Sequence, residues 1–406
     1  MNVELLTLKA LSPLALHRRR TSEQFAPTLD YLPGSTVRGA LADAYLQGDS
    51  ARAEETLFKQ LFLSDDVCFS DFLPAAGRFD LARILPATAV ACKRFEDHAD
   101  SRSDSLLRLE LLRVWDPPDL AKHNTWKECP NCKAINLKGK RDRAEAGYYA
   151  PDAPATPIKV RRRMIAGAAI ERATGTTAHS MLFSHDVIEE SGAYDGQEML
   201  FRGAVSMPAT LRQDLKELAS QNSRLAVGYG RSRGWGQLQV QGWESPRSEA
   251  YSLQERWRAL NDTIRRLWQQ HGRAVPGQYF SLTLQSHLIL KDEQTGQPVL
   301  DDIQAVHLGL PSGVERCYCA MSAVVVSGWN MAAELPKADD WALGRGSVLL
   351  WRLPHDVDPE PILKRLEELE VNGLGERRNE GFGRMTACEP YHYIFTQREL
   401  SQGGSR

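Results

Sequence analysis

The amino-acid sequence predicts an α+β protein made of two ferredoxin-like domains in tandem. The chain has 406 residues, which is more than a single hydrophobic core usually serves. Two glycine-rich loops, Gly228 to Gly236 and Gly373 to Gly383, share a Gly-x-Gly pair, an arginine-bearing spacer and a Gly-aromatic-Gly ending. Each loop follows a helical pattern and precedes a strand pattern. Each half therefore ends in strand, helix, glycine loop and strand, which fits the ferredoxin-like topology.

The first half begins with a strand and a well-marked helix start. Residues 3–9 alternate loosely between polar and apolar side chains and predict the first strand. A helix then opens at Gly34 and Ser35, and its apolar face is formed by Val37, Leu41 and Tyr45. The free N–H groups and the dipole at this start can hold a phosphate, with Arg38 one turn further on. The alternative is a capped scaffold helix.

The middle of the first half predicts an insertion followed by a hairpin. Residues from about 65 to 160 are broken by prolines and predict irregular structure. Residues 164–185 predict a hairpin, with Arg161, Arg162 and Arg163 at its base. These arginines form either an RNA-contacting cluster or an ordinary solvated face. Residues 199–207 then predict a strand, and residues 210–222 predict the amphipathic helix before the first glycine loop.

The second half predicts the same ending with shorter connections. We place the first domain at residues 1–245, a connecting helix at 246–274, the second domain at 275–398 and a flexible tail at 399–406. The predicted elements of the second domain are strands at 278–290, 323–327 and 347–352 and a helix at 361–369.

Both glycine loops have the composition of anion-binding loops. Closely spaced glycines let the backbone approach a phosphate, arginine adds a planar donor fork, and Trp235 and Phe382 offer stacking faces. Neither loop matches a dinucleotide-binding fingerprint, since a strand pattern follows it. Ordinary hairpin turns remain the alternative. The residues expected at phosphate are Gly228, Gly230, Arg231, Arg233, Gly234, Trp235 and Gly236 in the first loop, and Gly373, Gly375, Arg377, Arg378, Gly381, Phe382 and Gly383 in the second.

The composition limits what kind of nucleic-acid contact is expected. Fifty basic and 52 acidic residues give a formal charge of −2, which disfavours a polycation that coats nucleic acid regardless of sequence. RNA contacts must then be local. The chain starts without a basic signal region and has no apolar run of bilayer length, so we expect a cytoplasmic protein without a membrane segment.

The cysteines predict a metal site in the insertion. Cys129 and Cys132 form a C-x-x-C knuckle whose two thiolates can share one Zn²⁺. A structural zinc would help to hold a segment with little apolar core. The further ligands we expect are Cys92 as the third and His98 or His123 as the fourth, with Cys68 more remote. Free thiols are the alternative, and no motif indicates an organic cofactor.

Three features together resemble a known superfamily. They are residues 29–42 (Leu-Asp-Tyr-Leu-Pro-Gly-Ser-Thr-Val-Arg-Gly-Ala-Leu-Ala), the two glycine loops and the cysteine-bearing insertion. The chain resembles the RAMP superfamily of CRISPR-associated proteins over most of both halves. It is most similar to the type III-D effector subunit of the group that binds the 5′ handle of the guide RNA (crRNA).

The resemblance implies a ribonucleoprotein subunit for antiviral defence with little or no catalysis of its own. The expected partners are the crRNA, other RAMP backbone subunits and the large signalling subunit, with target RNA contacted indirectly. Gly34, Ser35 and Arg38 would face the guide backbone together with the glycine loops. Such contacts recognise phosphates rather than bases.

The resemblance also raises an enzymatic alternative. Asp30 lies near where related backbone subunits carry a carboxylate that cleaves target RNA, but it can equally cap the turn or pair with an arginine. His17 follows the first strand, where superfamily endonucleases that process precursor RNA often carry a histidine. His185 lies on a strand and either lines RNA or is structural. The sequence offers no second acid or base for His17.

Overall fold

The computed structural model describes residues 2–17, 25–75, 82–95, 98, 101–116, 125–191, 198–246, 251–330 and 335–403. His123 and residues 404–406 of the predicted tail lie outside these residues. Helices and strands are mixed along the chain, as the sequence predicts. No helix in the described ranges combines the length and apolarity needed to cross a bilayer.

The first half contains most of the strands. Its strands are β1 Asn2–Ala10, β2 Phe25–Ala26, β3 Cys68–Phe69, β4 Leu73–Ala75, β5 Arg83–Ile84, β6 Ala89–Cys92, β7 Ser103–Asp104, β8 Arg141–Arg143, β9 Tyr148–Ala150, β10 Ala153–Ile158, β11 Arg162–Ile170, β12 Thr177–Ile188, β13 Leu200–Met207, β14 Arg224–Ala226 and β15 Gln237–Glu244. Those of the second half are β16 Gln278–Leu284, β17 Glu315–Ala320, β18 Ala323–Val326, β19 Trp329–Asn330, β20 Leu335–Pro336, β21 Asp340–Leu343, β22 Val348–Leu353 and β23 Met385–Ala387.

The helices flank these strands. They are α1 Gly34–Leu46, α2 Thr56–Phe62, α3 Leu106–Trp115, α4 Pro130–Ala134, α5 Arg212–Gln221, α6 Leu253–Gln270, α7 Glu360–Asn372 and α8 Tyr391–Gly403. The predicted helices at the Gly-Ser turn, at 210–222, in the connecting segment and before the second loop are confirmed. The apolar spacing of each one explains its buried face.

The main sheet of the first half has the order β14-β15-β1-β13-β3, with β4 also paired to β13. Strand β1 is antiparallel to both β13 and β15. One hydrophobic core lies between this sheet and helices α1 and α5; it includes Leu6, Leu41 and Leu215, each fully buried. β3 and β4 thus belong to the main sheet, although the sequence predicts an irregular insertion from about residue 65.

The insertion contains short strands rather than wholly irregular chain. β5, β9 and β10 form one small sheet and β6, β7 and β8 another. Helix α3 packs into the core of the second half through Leu106, Leu107 and Leu111. The insertion therefore joins the two halves, because its apolar residues complete a core that the distant second half begins.

The second half is built on a four-stranded sheet in the order β17-β22-β16-β23. Its core includes Leu282, Leu349 and Leu366 together with the connecting helix residue Leu260. Helix α8 extends from Tyr391 to Gly403, so residues 399–403 are helical where the sequence predicts a tail. Glu399 accepts hydrogen bonds there from Arg108 and, at 3.1 Å, from Arg141 of the insertion.

Candidate functional site

The two glycine-rich loops have the same backbone hydrogen bonds. In the first loop, the Tyr229 N–H donates to the carbonyl of Ala15 at 2.9 Å. In the second, the Glu376 N–H donates to the carbonyl of Ile289 at 2.9 Å. A second equivalent pair closes each loop: Val227 N–H to Gly236 at 2.9 Å, and Leu374 N–H to Gly383 at 3.0 Å. Ala15 and Ile289 both follow the first main strand of their half, so the loops occupy equivalent places.

This equivalence shifts the register that the sequence pattern indicates. Gly228 corresponds to Gly375 rather than to Gly373. Both have positive φ, 71° and 80°, and a Cβ on either would collide with the carbonyl oxygen of the partner segment. Gly230 is then matched by Arg377, which takes the left-handed conformation with φ 56°. The two loops are equally long in this register. The spacer between the glycines looks longer in the second loop only because Arg377 stands where the first loop has Gly230.

The first loop is exposed to solvent. Arg233 lies over the Tyr229 ring, 5.8 Å from its centroid, and Tyr229 is 44 % exposed. Among the residues that the structure describes, Arg233 pairs with no carboxylate. Arg231 lies 3.6 Å from Asp43, and both side chains are solvent-accessible. Exposed pairs of this kind are weak, so both arginines remain able to meet an external anion.

In the second loop, Arg377 stands where the first loop has Gly230, and its side chain is engaged within the protein. Arg377 contacts Asp340 at 3.2 Å and Glu380 at 2.8 Å, and its guanidinium lies 4.8 Å from the Phe382 ring centroid. Glu380 also pairs with Lys337 at 2.8 Å. Burial opposes the ionisation of Glu380, but Arg377 and Lys337 outweigh it and hold the pKa of Glu380 below its usual value.

The second loop also packs against the first half. Gly381 is buried, and a Cβ there would lie 2.8 Å from the Phe69 carbonyl oxygen. The Asn379 side-chain amide donates to the Ser64 carbonyl at 3.4 Å. Arg378 is exposed and is the arginine of this loop that faces solvent. The second loop thus fills the boundary between the halves.

The start of helix α1 lies under this second loop. Gly34 is buried, its N–H donates to Asp71 at 3.2 Å, and a Cβ on it would lie 2.9 Å from the Glu380 carbonyl oxygen. Arg38 donates to a backbone carbonyl of α2 and lies 3.9 Å from Glu380. Ser35 is partly buried. The sequence predicts a phosphate at this helix start, but in the structure the helix start donates a hydrogen bond to the carboxyl group of Asp71.

Asp30 is held between the halves. Its Oδ1 accepts hydrogen bonds from Tyr148 and from Arg345, each at 2.7 Å. Arg345 also lies 4.0 Å from the centroid of the Tyr31 ring. Burial opposes ionisation, but Arg345 and Tyr148 hold the pKa of Asp30 below its usual value. The carboxylate has the arginine partner that the non-catalytic alternative predicts.

His17 lies beside His185 near the first loop. The two rings are nearly parallel, at 16°, with centroids 5.3 Å apart. Tyr229 approaches both rings, at 5.4 Å from His17 and 4.9 Å from His185. Trp235 meets His185 edge-on at 5.7 Å. Burial lowers the pKa of both histidines, helped by His185 at His17 and by the nearby Arg233 at His185, so both rings favour the neutral form.

The three hairpin arginines face acidic residues of the next strand and its continuation. The pairs are Arg161 with Glu189 at 3.2 Å, Arg162 with Asp186 at 3.5 Å and Arg163 with Glu190 at 3.5 Å. The arginine side chains are about half exposed, at 59 %, 50 % and 45 %. An incoming phosphate would therefore compete with weak ion pairs at this hairpin.

The predicted metal ligands come together in the insertion. Cys92, Cys129, Cys132 and His98 each place one ligand atom within 4.8 Å of the others. Cys92 Sγ lies 3.6 Å from Cys132 Sγ, and His98 Nδ1 lies 3.5 Å from Cys129 Sγ. Tetrahedral bonds of about 2.3 Å to sulfur separate two ligands by about 3.8 Å, so these distances suit Zn²⁺. Of the two predicted fourth ligands, His98 lies in this cluster.

The comparisons with known proteins agree with the sequence resemblance at the level of the superfamily. A family profile described as the RAMP superfamily matches residues 7–239, more than half of the chain. The chain belongs to the RAMP superfamily. No curated protein sequence matches it.

Solved structures similar to this RAMP protein share little sequence with it. A chain of the type III-B Cmr-beta complex bound to cognate target RNA and AMPPnP is 12 % identical, with 86 % of each chain covered and a TM-score of 0.42. A chain of the Csm3-Csm4 subcomplex of the type III-A interference complex is 12 % identical, covering 89 % of this chain and 96 % of that one, with a TM-score of 0.34. A RAMP protein binding different RNA substrates is 8 % identical, covering 95 % and 99 %, with a TM-score of 0.35.

Three residues of these sites were not singled out from the sequence. Tyr229 stands inside the first glycine motif, and its position between two glycines was the signal available for it. Asp71 and Arg345 carry no local signal, because their roles depend on contacts with residues far away along the chain.

Proposed function

We propose that this RAMP protein is an RNA-binding subunit of a type III CRISPR effector, of the III-D kind, that holds the 5′ handle of the crRNA. The exposed first glycine loop carries the proposal. It joins an arginine without a carboxylate partner in the described chain, an accessible tyrosine and a tryptophan on one surface. Arginine forks and aromatic faces are the groups that bind single-stranded RNA.

The surrounding residues extend this surface. The first loop lies against the hairpin of β11 and β12 through Trp235 and His185. At the hairpin base, Arg161, Arg162 and Arg163 have weak partners. We place the RNA along the first loop and this base. The second loop, Gly34 and Arg38 we assign mainly to packing, with Arg378 as the residue there that can reach a neighbouring phosphate.

We further propose two ferredoxin-like domains as the framework. In the first half, numbering the main strands in chain order as β1, β3 with β4, β13 and β15 gives the spatial order 4-1-3-2. In the second half, β16, β17, β22 and β23 give the same order. Antiparallel pairing throughout both sheets supports this arrangement.

The partners and location follow from this assignment. We propose contacts with other RAMP backbone subunits and with the large signalling subunit, in the cytoplasm. The hairpin of β11 and β12 offers exposed apolar side chains for such contacts, since Met164 is 67 % and Leu182 is 65 % exposed.

We also propose that Cys92, His98, Cys129 and Cys132 hold a structural Zn²⁺. The distances above carry this assignment. The metal would fix the end of β6 and helix α4 next to Arg141, which pairs with Glu399 of α8. Metal analysis of the purified chain should give one zinc per chain, lost in Cys132→Ser and kept in Cys319→Ser, which alters an exposed thiol outside the cluster.

One observation favours a second candidate function, cleavage of precursor RNA. His185 supplies, 5.3 Å from His17, the second acid or base that the sequence does not identify. One neutral imidazole can accept the proton of the attacking 2′-hydroxyl, and the other, in its protonated form, can donate a proton to the leaving 5′-oxygen. Target cleavage by Asp30 has less support, because two donors already occupy its carboxylate oxygen.

The test is purification of the native complex followed by sequencing and end-mapping of its RNA. Discrete RNAs that share a repeat-derived 5′ tag would support the proposed function. Heterogeneous RNA, or none, would reject it. Separately, a discrete product made from precursor RNA and lost in His17→Ala would establish the enzymatic candidate.

A further inference from the structure

Five aromatic rings form a cluster beside the first glycine loop. They come from the segment after β1, from strand β12 and from the loop itself: His17, Phe183, His185, Tyr229 and Trp235. Neighbouring centroids lie between 4.9 Å (His185 to Tyr229) and 5.7 Å (His185 to Trp235). We call these residues the aromatic cluster. Three separate segments thus bring their rings to one place.

The aromatic cluster is not part of a hydrophobic core. None of its members belongs to the buried apolar clusters of the described chain. Tyr229 is 44 % exposed, as is Phe25, which pairs with β12 next to His185. Water therefore reaches an aromatic patch that folding alone would bury.

Polar atoms inside the aromatic cluster lack partners. His17 Nε2 and both ring nitrogens of His185 are buried without a hydrogen bond in the part of the chain that the structure describes. Unpaired buried polar atoms cost free energy, and native structures pair nearly all of them. Since no described hydrogen bond fixes the His185 ring, it can turn to meet an incoming polar edge.

Cationic side chains stand around the aromatic cluster. Arg233 lies over Tyr229, and Arg162, 50 % exposed, lies on the neighbouring strand. A ligand with one flat face, polar edges and an attached phosphate would match the rings, the free nitrogens and these arginines together. A nucleotide of single-stranded RNA has all three properties.

The second half shows that the fold does not require these rings. By the loop equivalence, His17 corresponds to Lys291 and Tyr229 corresponds to Glu376. Those two residues form an ion pair at 2.8 Å. At the same backbone positions, the second half thus has an ion pair, whereas the first half has neighbouring aromatic rings with unpaired nitrogens. Selection for a ligand explains this difference better than stability does.

We propose that the aromatic cluster binds one unstacked nucleobase of single-stranded RNA. Tyr229 provides the outer stacking face, and His17 and His185 meet the base edge. The proposal rests on the proposed function, because it specifies how the first loop contacts RNA beyond the phosphate backbone. It predicts that one nucleotide position matters through its base.

The test measures dissociation constants of the full-length chain for fluorescein-labelled single-stranded RNA 12-mers, each abasic at one position. We expect one abasic position to weaken wild-type binding by about 5- to 100-fold. Tyr229→Ala should weaken binding of intact RNA to a similar degree and Tyr229→Phe by less than about threefold. On the critical abasic RNA, Tyr229→Ala should change affinity by less than about twofold, since the base it stacks on is gone.

Glu376→Ala, the equivalent substitution in the second loop, is the matched control and should leave RNA affinity unchanged. Equal tolerance of every abasic position, or additive losses from Tyr229→Ala and the abasic site, would overturn the base site while leaving RNA binding by the chain intact. A wild-type chain that binds no 12-mer would reject the proposed function and the base site together. RNA cut by the wild type but not by His185→Ala would assign the aromatic cluster to catalysis instead.

Discussion

The two glycine loops share a backbone but present opposite surfaces. The first is open, with Tyr229 exposed and Arg233 unpaired among the described side chains. The second packs against the first half, with Arg377 paired to Asp340 and Glu380. The glycines therefore encode a turn that packs against the segment after the first strand of each half, and the side chains around the glycines decide what the turn does. A glycine motif alone predicts the geometry and leaves the ligand open.

The largest effect is expected from a substitution that disturbs the packing of the second loop on helix α1. Gly34→Ala would place a methyl group against the Glu380 carbonyl oxygen and two carbonyls of the β3 segment, all backbone atoms that cannot rotate away. We expect the free energy of unfolding to fall by about 3 kcal/mol. Denaturant unfolding measures it.

Gly39→Ala in the same helix is its control. A Cβ there meets nothing within 4 Å, so alanine should raise the free energy of unfolding by up to about 1 kcal/mol through helix propensity. A similar cost for both variants would show that the second loop is not seated on Gly34.

Replacing one arginine of each loop with alanine should separate RNA binding by the first loop from packing by the second. Arg233→Ala should weaken RNA affinity by about 3- to 10-fold and reduce the salt slope of binding by about 0.7 per lost phosphate contact, with little change in stability. Arg377→Ala should instead lower the free energy of unfolding by about 2 kcal/mol, since it leaves the partly buried Glu380 with fewer partners. Anisotropy titrations at several salt concentrations and denaturant unfolding supply the two readouts. The comparison fails if the two variants exchange these effects.

Asp71, which lies against Gly34 and the second loop, should make the stability of the protein depend on pH. Burial raises the pKa of Asp71 to about 7, against the opposing effects of Arg345 and Gly34. The folded protein then binds more protons than the unfolded chain between about pH 4 and 7, so this group makes stability fall as pH rises through that window. Asp71→Asn keeps the acceptor for the Gly34 N–H but does not titrate. The Tm of this variant minus the Tm of the wild type should therefore increase by about 1 to 3 °C from pH 5 to pH 8. A constant difference between the two would contradict this environment for Asp71.

The two histidines beside the first loop should give a smaller pH dependence of stability, in the opposite direction. The lowered pKa values of His17 and His185 mean that the unfolded chain binds more protons below about pH 6.5. Stability contributed by their neutral rings is present above this pH and lost as pH falls. A His17→Gln/His185→Gln variant should therefore gain about 1 to 2 °C in Tm relative to wild type from pH 7 to pH 5. Parallel pH profiles would argue that the rings are not desolvated.

Local patterns predicted the elements of this protein, and long-range contacts decided its sites. Apolar spacing located α1, α5 and α7 to within a few residues, because this signal lies within a few turns of the chain. The connecting helix, expected at 246–274, is α6 at Leu253–Gln270. The C-x-x-C spacing likewise indicated a group of potential metal ligands, and the structure brings the members of this group together. What could not be predicted was which arginines are already paired. Besides the nearby Glu380, Arg377 pairs with Asp340, which is 37 residues away, and Arg345 pairs with Asp30, which is 315 residues away. No local pattern indicates these two distant partners.

The shifted loop register has a similar cause. In sequence, Gly373 and Gly375 look like the counterparts of Gly228 and Gly230. In the fold, the residues that must approach a neighbouring carbonyl are Gly228 and Gly375. Arg377 tolerates the left-handed conformation that Gly230 adopts, so a search for glycines alone aligns the loops incorrectly.

The most direct test of the central claim is ultraviolet cross-linking of the RNA-bound complex, followed by mass spectrometry of the cross-linked peptides. If the first loop faces RNA and the second joins the halves, cross-links will concentrate on the peptide with Tyr229 and Trp235, and the peptide spanning residues 373–383 will carry few. Cross-links concentrated on residues 373–383, with none on the first loop, would contradict the account.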